Sequence, residues 1–180
     1  MPYVDVKREL IMETIESIMT RKSVRSFANK EVEDDKIETL LKAAMAAPSG
    51  VNKQPWKFVV VKSKEKIEEI KKAMPFGKYN APLIIVPCIN DLATIPLPHD
   101  LANCDLSAAT ENILLAAHAL GLGAVWCAIY PGKGQIKKMR KVLNQGATIS
   151  PFSCIYIGYP SEDDKSKVKN KYKESNIQII

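Results

Sequence analysis

Three cations and a hydroxyl crowd into Arg21-Lys22-Ser23-Val24-Arg25, within the longer run from Arg21 to Phe27. In an extended chain side chains alternate with period two, so Arg21, Ser23 and Arg25 fall on one side. Guanidinium forks beside a hydroxyl suit a phosphate and its neighbouring sugar oxygens. The same residues would also make an ordinary solvated basic turn. A second stretch, Ala46 to Trp56, joins a helical pattern to an apolar run. Its small residues and Pro48-Ser49-Gly50 allow a flat ligand to approach the backbone closely. Asn52 and Gln54 each offer an amide donor and acceptor, the chemistry that reads the polar edge of a heterocycle. A plain helix-to-strand loop with Asn in a turn is an equal reading of these residues taken alone.

Other signals carry less. Gly121-Leu-Gly-Ala-Val-Trp126 begins like a dinucleotide fingerprint, yet it lies between a helix and a following strand, the reverse of a Rossmann turn. Trp126 also stands where the third glycine belongs, and Gly132-Lys-Gly134 lacks Walker spacing. His118 sits among Leu114, Leu115, Ala117 and Leu120 and reads as a packed histidine rather than an acid. Asp105 and Glu111, on the same segment, read as helix-surface or interface contacts. The four cysteines show no C-x-x-C spacing, and Cys88, Cys127 and Cys154 lie inside apolar runs as small buried hydrophobes. His99 and His118 have no accompanying ligand spacing, so no metal site is expected.

The elements that must position these residues follow from periodicity. Leu10 to Thr20 reads as a first helix, with Ile11, Ile15, Ile18 and Met19 on one face. Val32 to Ala47 repeats Ile37, Leu40, Leu41, Ala44 and Met45 at helical spacing, with acids at its start and Pro48-Ser49-Gly50 at its end. Trp56 to Lys62 reads as a buried strand, followed by a short helix capped by Ser63. Leu83 to Asn90 is a second strand in which Pro87 suggests an edge, a bulge or a strand end. Residues 91–99 read as an irregular loop. Asn103 to Leu120 is an apolar helix capped by Gly121 or Gly123, and Ala124 to Ile129 a third strand. A helix around Gln135 to Leu143, a strand around Cys154 to Tyr159 and a polar tail from Ser161 complete the chain. This alternation of helices and strands, by pattern alone, suggests an α/β fold with a parallel sheet.

The 180 residues, 46% of them hydrophobic, suffice for one well-filled core, so a single domain spanning 1–180 is the expectation, with a tail at about 161–180. The net charge of +6 is mostly lysine interleaved with acids, as in Lys64 to Lys72, and arginine occurs only at 8, 21, 25 and 140. That is a solvated amphipathic surface rather than a nucleic-acid stripe. No uninterrupted apolar stretch opens the chain, and Ile113 to Pro131 is better explained as helix, glycine stop and strand than as a bilayer span. A cytoplasmic protein without membrane or nucleic-acid partners is expected.

Taken in order, Arg21 to Phe27, Ala46 to Phe58, Ala108 to Trp126 and Ile157-Gly-Tyr-Pro160 resemble four blocks of the FMN-dependent nitroreductase superfamily across nearly the whole chain. The resemblance implies an α+β fold, a mainly antiparallel central sheet flanked by helices, in an intertwined homodimer. It implies that Arg21, Lys22 and Ser23 bind the FMN phosphate and ribityl chain, with Arg25 near the pyrimidine end. Pro48, Ser49 and Gly50 would contact the flavin from the partner subunit, with Asn52 and Gln54 toward the ring's polar edge. Trp126, Ala128 and Ile129 would line the isoalloxazine. Lys171, in Asn170-Lys171-Tyr172, stands where the family has an arginine on the phosphate, a point charge in place of a fork. The implied activity is NAD(P)H-driven reduction of electron-poor small molecules such as nitroaromatics or quinones, in ping-pong order. No dedicated catalytic acid or base is assigned, since a flavin accepts hydride without one. Dehalogenation or flavin fragmentation on the same fold is one alternative, and a basic nucleic-acid-binding module another.

Overall fold

Side chains of β2 (Leu83–Asn90) divide between two cores, as the alternation of a strand requires. Leu83 and Ile85 join Ile155 and Ile157 of β5 (Ser153–Gly158) beneath α2 (Asp34–Met45) and α5 (His99–Ala119). Ile84, Val86 and Cys88 join Cys154 and Tyr156 on the opposite face, beneath α3 (Lys64–Ala73) and α6 (Lys133–Val142). Both faces are therefore covered, and the strands read as continuous apolar runs. The computed structural model describes residues 13–180, apart from Leu97 and the side chain of His99. The expected start of the first helix at Leu10 lies outside the described residues; within them α1 runs Thr14–Thr20.

The remaining elements are β1 (Trp56–Val61), α4 (Asp91–Thr94), β3 (Gly123–Ala128) and β4 (Ile149–Pro151). The sheet order is β1-β2-β5-β3, with β4 also on β2, and all these pairings are antiparallel. The parallel sheet suggested by alternation is thus replaced by the α+β arrangement that the resemblance implied. Val61 pairs with Ile84, so the excursion through α3 and residues 74–82 leaves and re-enters at the same end of the sheet. A helix between strands fixes direction only when it makes the whole crossover; here an extended return segment undoes it.

Local chemistry sets most element ends. The Ser63 hydroxyl accepts the Lys66 N–H and caps α3. At the end of α5, Gly121 takes φ +73°, its N–H donates to His118 O, and the Leu122 N–H donates to Ala117 O. That is a complete Schellman stop. Two expectations need correcting. Residues 91–99 hold the short helix α4, and α5 begins at His99 rather than Asn103, because Pro98 initiates a helix without sacrificing an internal hydrogen bond. Pro87 lies inside a central strand, opposite the break between β4 and β5, where its carbonyl accepts the Phe152 N–H. Its missing N–H costs no ladder bond at such an interruption.

Gly123 does not cap the helix. The extended segment after α1 runs along the outer side of β3, with the Val24 N–H on Ala124 O at 3.1 Å and a bridge from Ser23 to Ala124. A Cβ on Gly123 would stand 2.6 Å from Val24 Cβ. Gly123→Ala is expected to cost about 1–3 kcal/mol through overpacking, read as a lowered urea midpoint with an unchanged slope.

Candidate functional site

The cationic stretch is seated from beneath by Val24, 3% exposed, while Ser23 and Arg25 alternate outward beside it. α1 delivers the chain to this place through two bonds to α5. The Ser17 hydroxyl donates to Leu115 O at 3.1 Å, and Thr20 Oγ1 lies 2.9 Å from His118 Nε2. Because Thr20 Oγ1 donates to Glu16 O at 2.6 Å, its bond to His118 is one in which the imidazole N–H donates.

Each of the first two cations holds an oxyanion. Arg21 Nε sits 3.1 Å from Glu111 Oε1 on α5. Lys22 Nζ sits 3.2 Å from Asp164 Oδ2 in the tail and donates to Ser166 O at 2.8 Å. Burial alone would raise the Asp164 carboxyl, but the Ser166 hydroxyl and the Lys22 ammonium outweigh it and hold its pKa low. Arg25 is exposed, donates from Nη1 to Ser23 O at 3.2 Å, and has no carboxylate partner among the described residues. Arg21, Lys22, Ser23 and Arg25 thus share one extended segment, with Arg21 directed to α5, Lys22 to the tail, and Arg25 exposed.

The second stretch is a strained turn. Val51, Asn52 and Gln54 have φ of 51°, 54° and 49°, and residues Gly50–Asn52 form a short 3₁₀ turn. The Gln54 N–H donates to Ser49 Oγ at 3.0 Å and Gln54 Nε2 to Asn52 Oδ1 at 2.9 Å. Pro48, Asn52 and Gln54 are exposed, Ser49 and Gly50 half-buried. The Gly50 N–H donates to Asp105 Oδ1 at 2.9 Å, which fastens the turn to α5. Asp105 and Glu111, the two anchors on that helix, lie about 9 Å apart along its axis and roughly 120° apart around it. Within one chain the two stretches are thus tied to different faces of one helix.

On β3, Trp126 is half-buried with its ring 5.7 Å from Phe152 and Ala128 is exposed; Ile129, just past the strand, is buried. Lys171 is exposed and forms no ion pair among the described residues; the tail reaches the cationic stretch through Asp164 and Ser166 instead. Cys88, Cys127 and Cys154 are buried as expected of small core residues, while Cys104 is exposed. Burial pushes the Cys88 thiol up to about 12 and that of Cys127 to about 11, the latter despite the Arg25 guanidinium. Among the described residues no group of acids, histidines or cysteines could hold a metal, and no helix is long and apolar enough to cross a membrane. The sequence reading missed Gly123, Asp105 and Glu111 as parts of the site. The one local signal for the acids was a carboxylate within an otherwise apolar helix.

The chain thus presents an antiparallel α+β sheet, a strap bearing Arg21, Lys22 and Arg25 along its edge, and a strained, amide-bearing turn. Residues 18–75 match the Nitroreductase family. A protein of Archaeoglobus fulgidus, provisionally named NADH dehydrogenase/NAD(P)H nitroreductase, is 42% identical over 153 residues, covering 84% of this chain and 87% of that protein. A crystal structure from Bacteroides thetaiotaomicron with the same provisional name superposes with TM-score 0.85 at 39% identity, covering 92% of this chain and 96% of the other. A nitroreductase from Desulfovibrio desulfuricans, solved in complex with FMN, reaches TM-score 0.78 at 25% identity, covering 94% and 96%. An iodotyrosine deiodinase of Haliscomenobacter hydrossis is 28% identical over 79% of this chain and 77% of its own length. The chain belongs to the nitroreductase family.

Burial, with Arg21 and Lys22 near, holds the His118 imidazole below its ordinary pKa. The folded chain then binds fewer protons than the unfolded chain as pH drops below about 6.5, so this contribution is present above that value and lost as pH falls through the folded pKa. Between about pH 7.5 and pH 5 the urea midpoint is expected to fall further in the native protein than in His118→Gln.

Proposed function

We propose that the chain binds FMN between the Arg21–Arg25 stretch of one copy and the Pro48–Gln54 turn of a second, and acts as an NAD(P)H-dependent oxidoreductase on electron-poor small molecules. The observation that carries this reading is the pair of cationic heads at Arg21 and Lys22, each already on a carboxylate oxygen at 3.1 and 3.2 Å. A phosphomonoester, which carries about −1.5 to −2 charge at neutral pH, would take the place of these carboxylates on the two cations. Ser23 adds a hydroxyl for the ribityl chain, and Arg25 would stabilise negative charge at the pyrimidine end. Lys171 offers a further cation once the tail closes on the phosphate. Asn52 and Gln54 would read the ring's polar edge, while Trp126, Ala128 and Ile129 line the ring. Bound there, FMN supplies hydride acceptance from NAD(P)H and electron delivery to nitroaromatics or quinones, which use the same cleft in turn.

Two features support an intertwined dimer. Ile15 and Met19 on α1 are 71% and 67% exposed, and Tyr172, Ile177, Ile179 and Ile180 stand exposed along the tail. Among the described residues β1 pairs with β2 on one side alone, leaving an edge that the Ile177-to-Ile180 end of a second copy could cover. Four free thiols suit a reducing, cytoplasmic compartment. The kinship with an iodotyrosine deiodinase favours one second reading, reductive dehalogenation on the same flavin site.

Titration with FMN should give a yellow complex that sediments as a dimer, and Arg21→Ala should raise the dissociation constant by about ten- to a hundredfold. Unchanged affinity removes Arg21 from the phosphate site. With NAD(P)H and a quinone, double-reciprocal plots should be parallel; intersecting lines defeat the shared cleft. Iodide release from an iodinated tyrosine, without quinone reduction, selects the second reading.

A further inference from the structure

The Ser49–Gly50 peptide is held at both ends. Its N–H donates to Asp105 Oδ1 at 2.9 Å, and its carbonyl accepts the Asn52 N–H at 2.9 Å. The first bond ties the turn to α5, and the second, internal to the turn, carries that tie through the rigid peptide plane to Asn52. The other bonds of the turn are internal: Lys53 N–H to Gly50 O, Gln54 N–H to Ser49 Oγ, and Gln54 Nε2 to Asn52 Oδ1. Internal bonds hold a shape and leave its placement free. Among the described residues, the turn's other outward side-chain bond runs from the Lys53 ammonium to Ile95 O at 3.1 Å.

Asp105 is 8% exposed and has no cationic partner among the described residues. A carboxylate withdrawn from water is costly unless it is hydrogen-bonded, and here the bond goes to one backbone N–H. The turn it holds places Val51, a β-branched residue, at φ 51°, ψ 30°. A β-branched residue is a genuine outlier there, and such conformations persist where the surroundings over-determine them and cluster at binding sites.

We infer that Asp105 is a positioning residue for the flavin: through Gly50 it presents Ser49, Asn52 and Gln54 to the ring in a fixed orientation, without touching the ring itself. The inference rests on the FMN reading above. Three readouts test it on the intact protein. Asp105→Ala is expected to weaken FMN binding about tenfold, to change the visible spectrum of the bound flavin, and to speed amide exchange in residues 49–54 while leaving β2 and β5 protected. Asp105→Asn keeps an acceptor oxygen and is expected to restore affinity to within about threefold. Asp105→Leu, which fills the buried space without an acceptor, is expected to behave as Asp105→Ala and serves where the alanine variant does not fold. Native affinity and exchange in the Ala or Leu variant overturn the inference, as does an equal loss in Asp105→Asn. Failure of the native protein to take up FMN instead defeats the reading on which it rests, while the exchange comparison still reports whether Asp105 holds the turn.

Discussion

The approach of Val24 to the bare backbone of Gly123 governs how the rest of the site is built. β3 is the last strand of the β1-β2-β5-β3 order, and its outer side is covered by the segment that follows α1. With no side chain on Gly123, Val24 sinks to 3% exposure and its N–H reaches Ala124 O. Alternation then decides everything nearby: with Val24 inward, Ser23 and Arg25 must stand outward. A glycine again makes room at Gly158, where a Cβ would meet Pro82 Cδ at 2.6 Å and Phe27 Cδ1 at 3.2 Å. One strap covers an exposed strand edge and orients a set of cations in the same act.

α5 is the common support. It is the most deeply enclosed helix, with Ala109, Ile113 and Ala117 fully buried against the sheet and α2. A helix so fixed makes a rigid frame, and four of its polar groups meet the candidate site. Asp105 holds the amide-bearing turn, Glu111 holds Arg21, the Leu115 carbonyl accepts from Ser17, and His118 donates to Thr20. Asp105 and Glu111 face different ways, so a single chain ties its two stretches to different faces of α5.

The ion pairs matter less for folding than for presentation. Arg21 with Glu111 and Lys22 with Asp164 involve partly exposed cations, and such pairs contribute about 0–1 kcal/mol. What they do is fix where two long, flexible side chains lie, Arg21 against α5 and Lys22 against the tail.

Local rules were enough to read much of this from the residues. The stripe Ile37, Leu40, Ala44 became the buried face of α2, Ser63 became the cap of α3, and Gly121 ended α5, because each depends on neighbours within a few positions. The crowding of Arg21, Lys22, Ser23 and Arg25 was visible for the same reason. Strand direction was not, since periodicity records which faces are buried and is blind to which end of the sheet a chain re-enters. Nor was the bond between Gly50 and Asp105, 55 positions apart, or that between Arg21 and Glu111. The amino-acid order determined the elements, their ends and the chemical types available. Only the tertiary structure decided which carboxylate met which cation or amide, because those partners are selected by the close packing of Val24 on Gly123 and of α5 on the sheet, and neither contact leaves a mark on the local pattern.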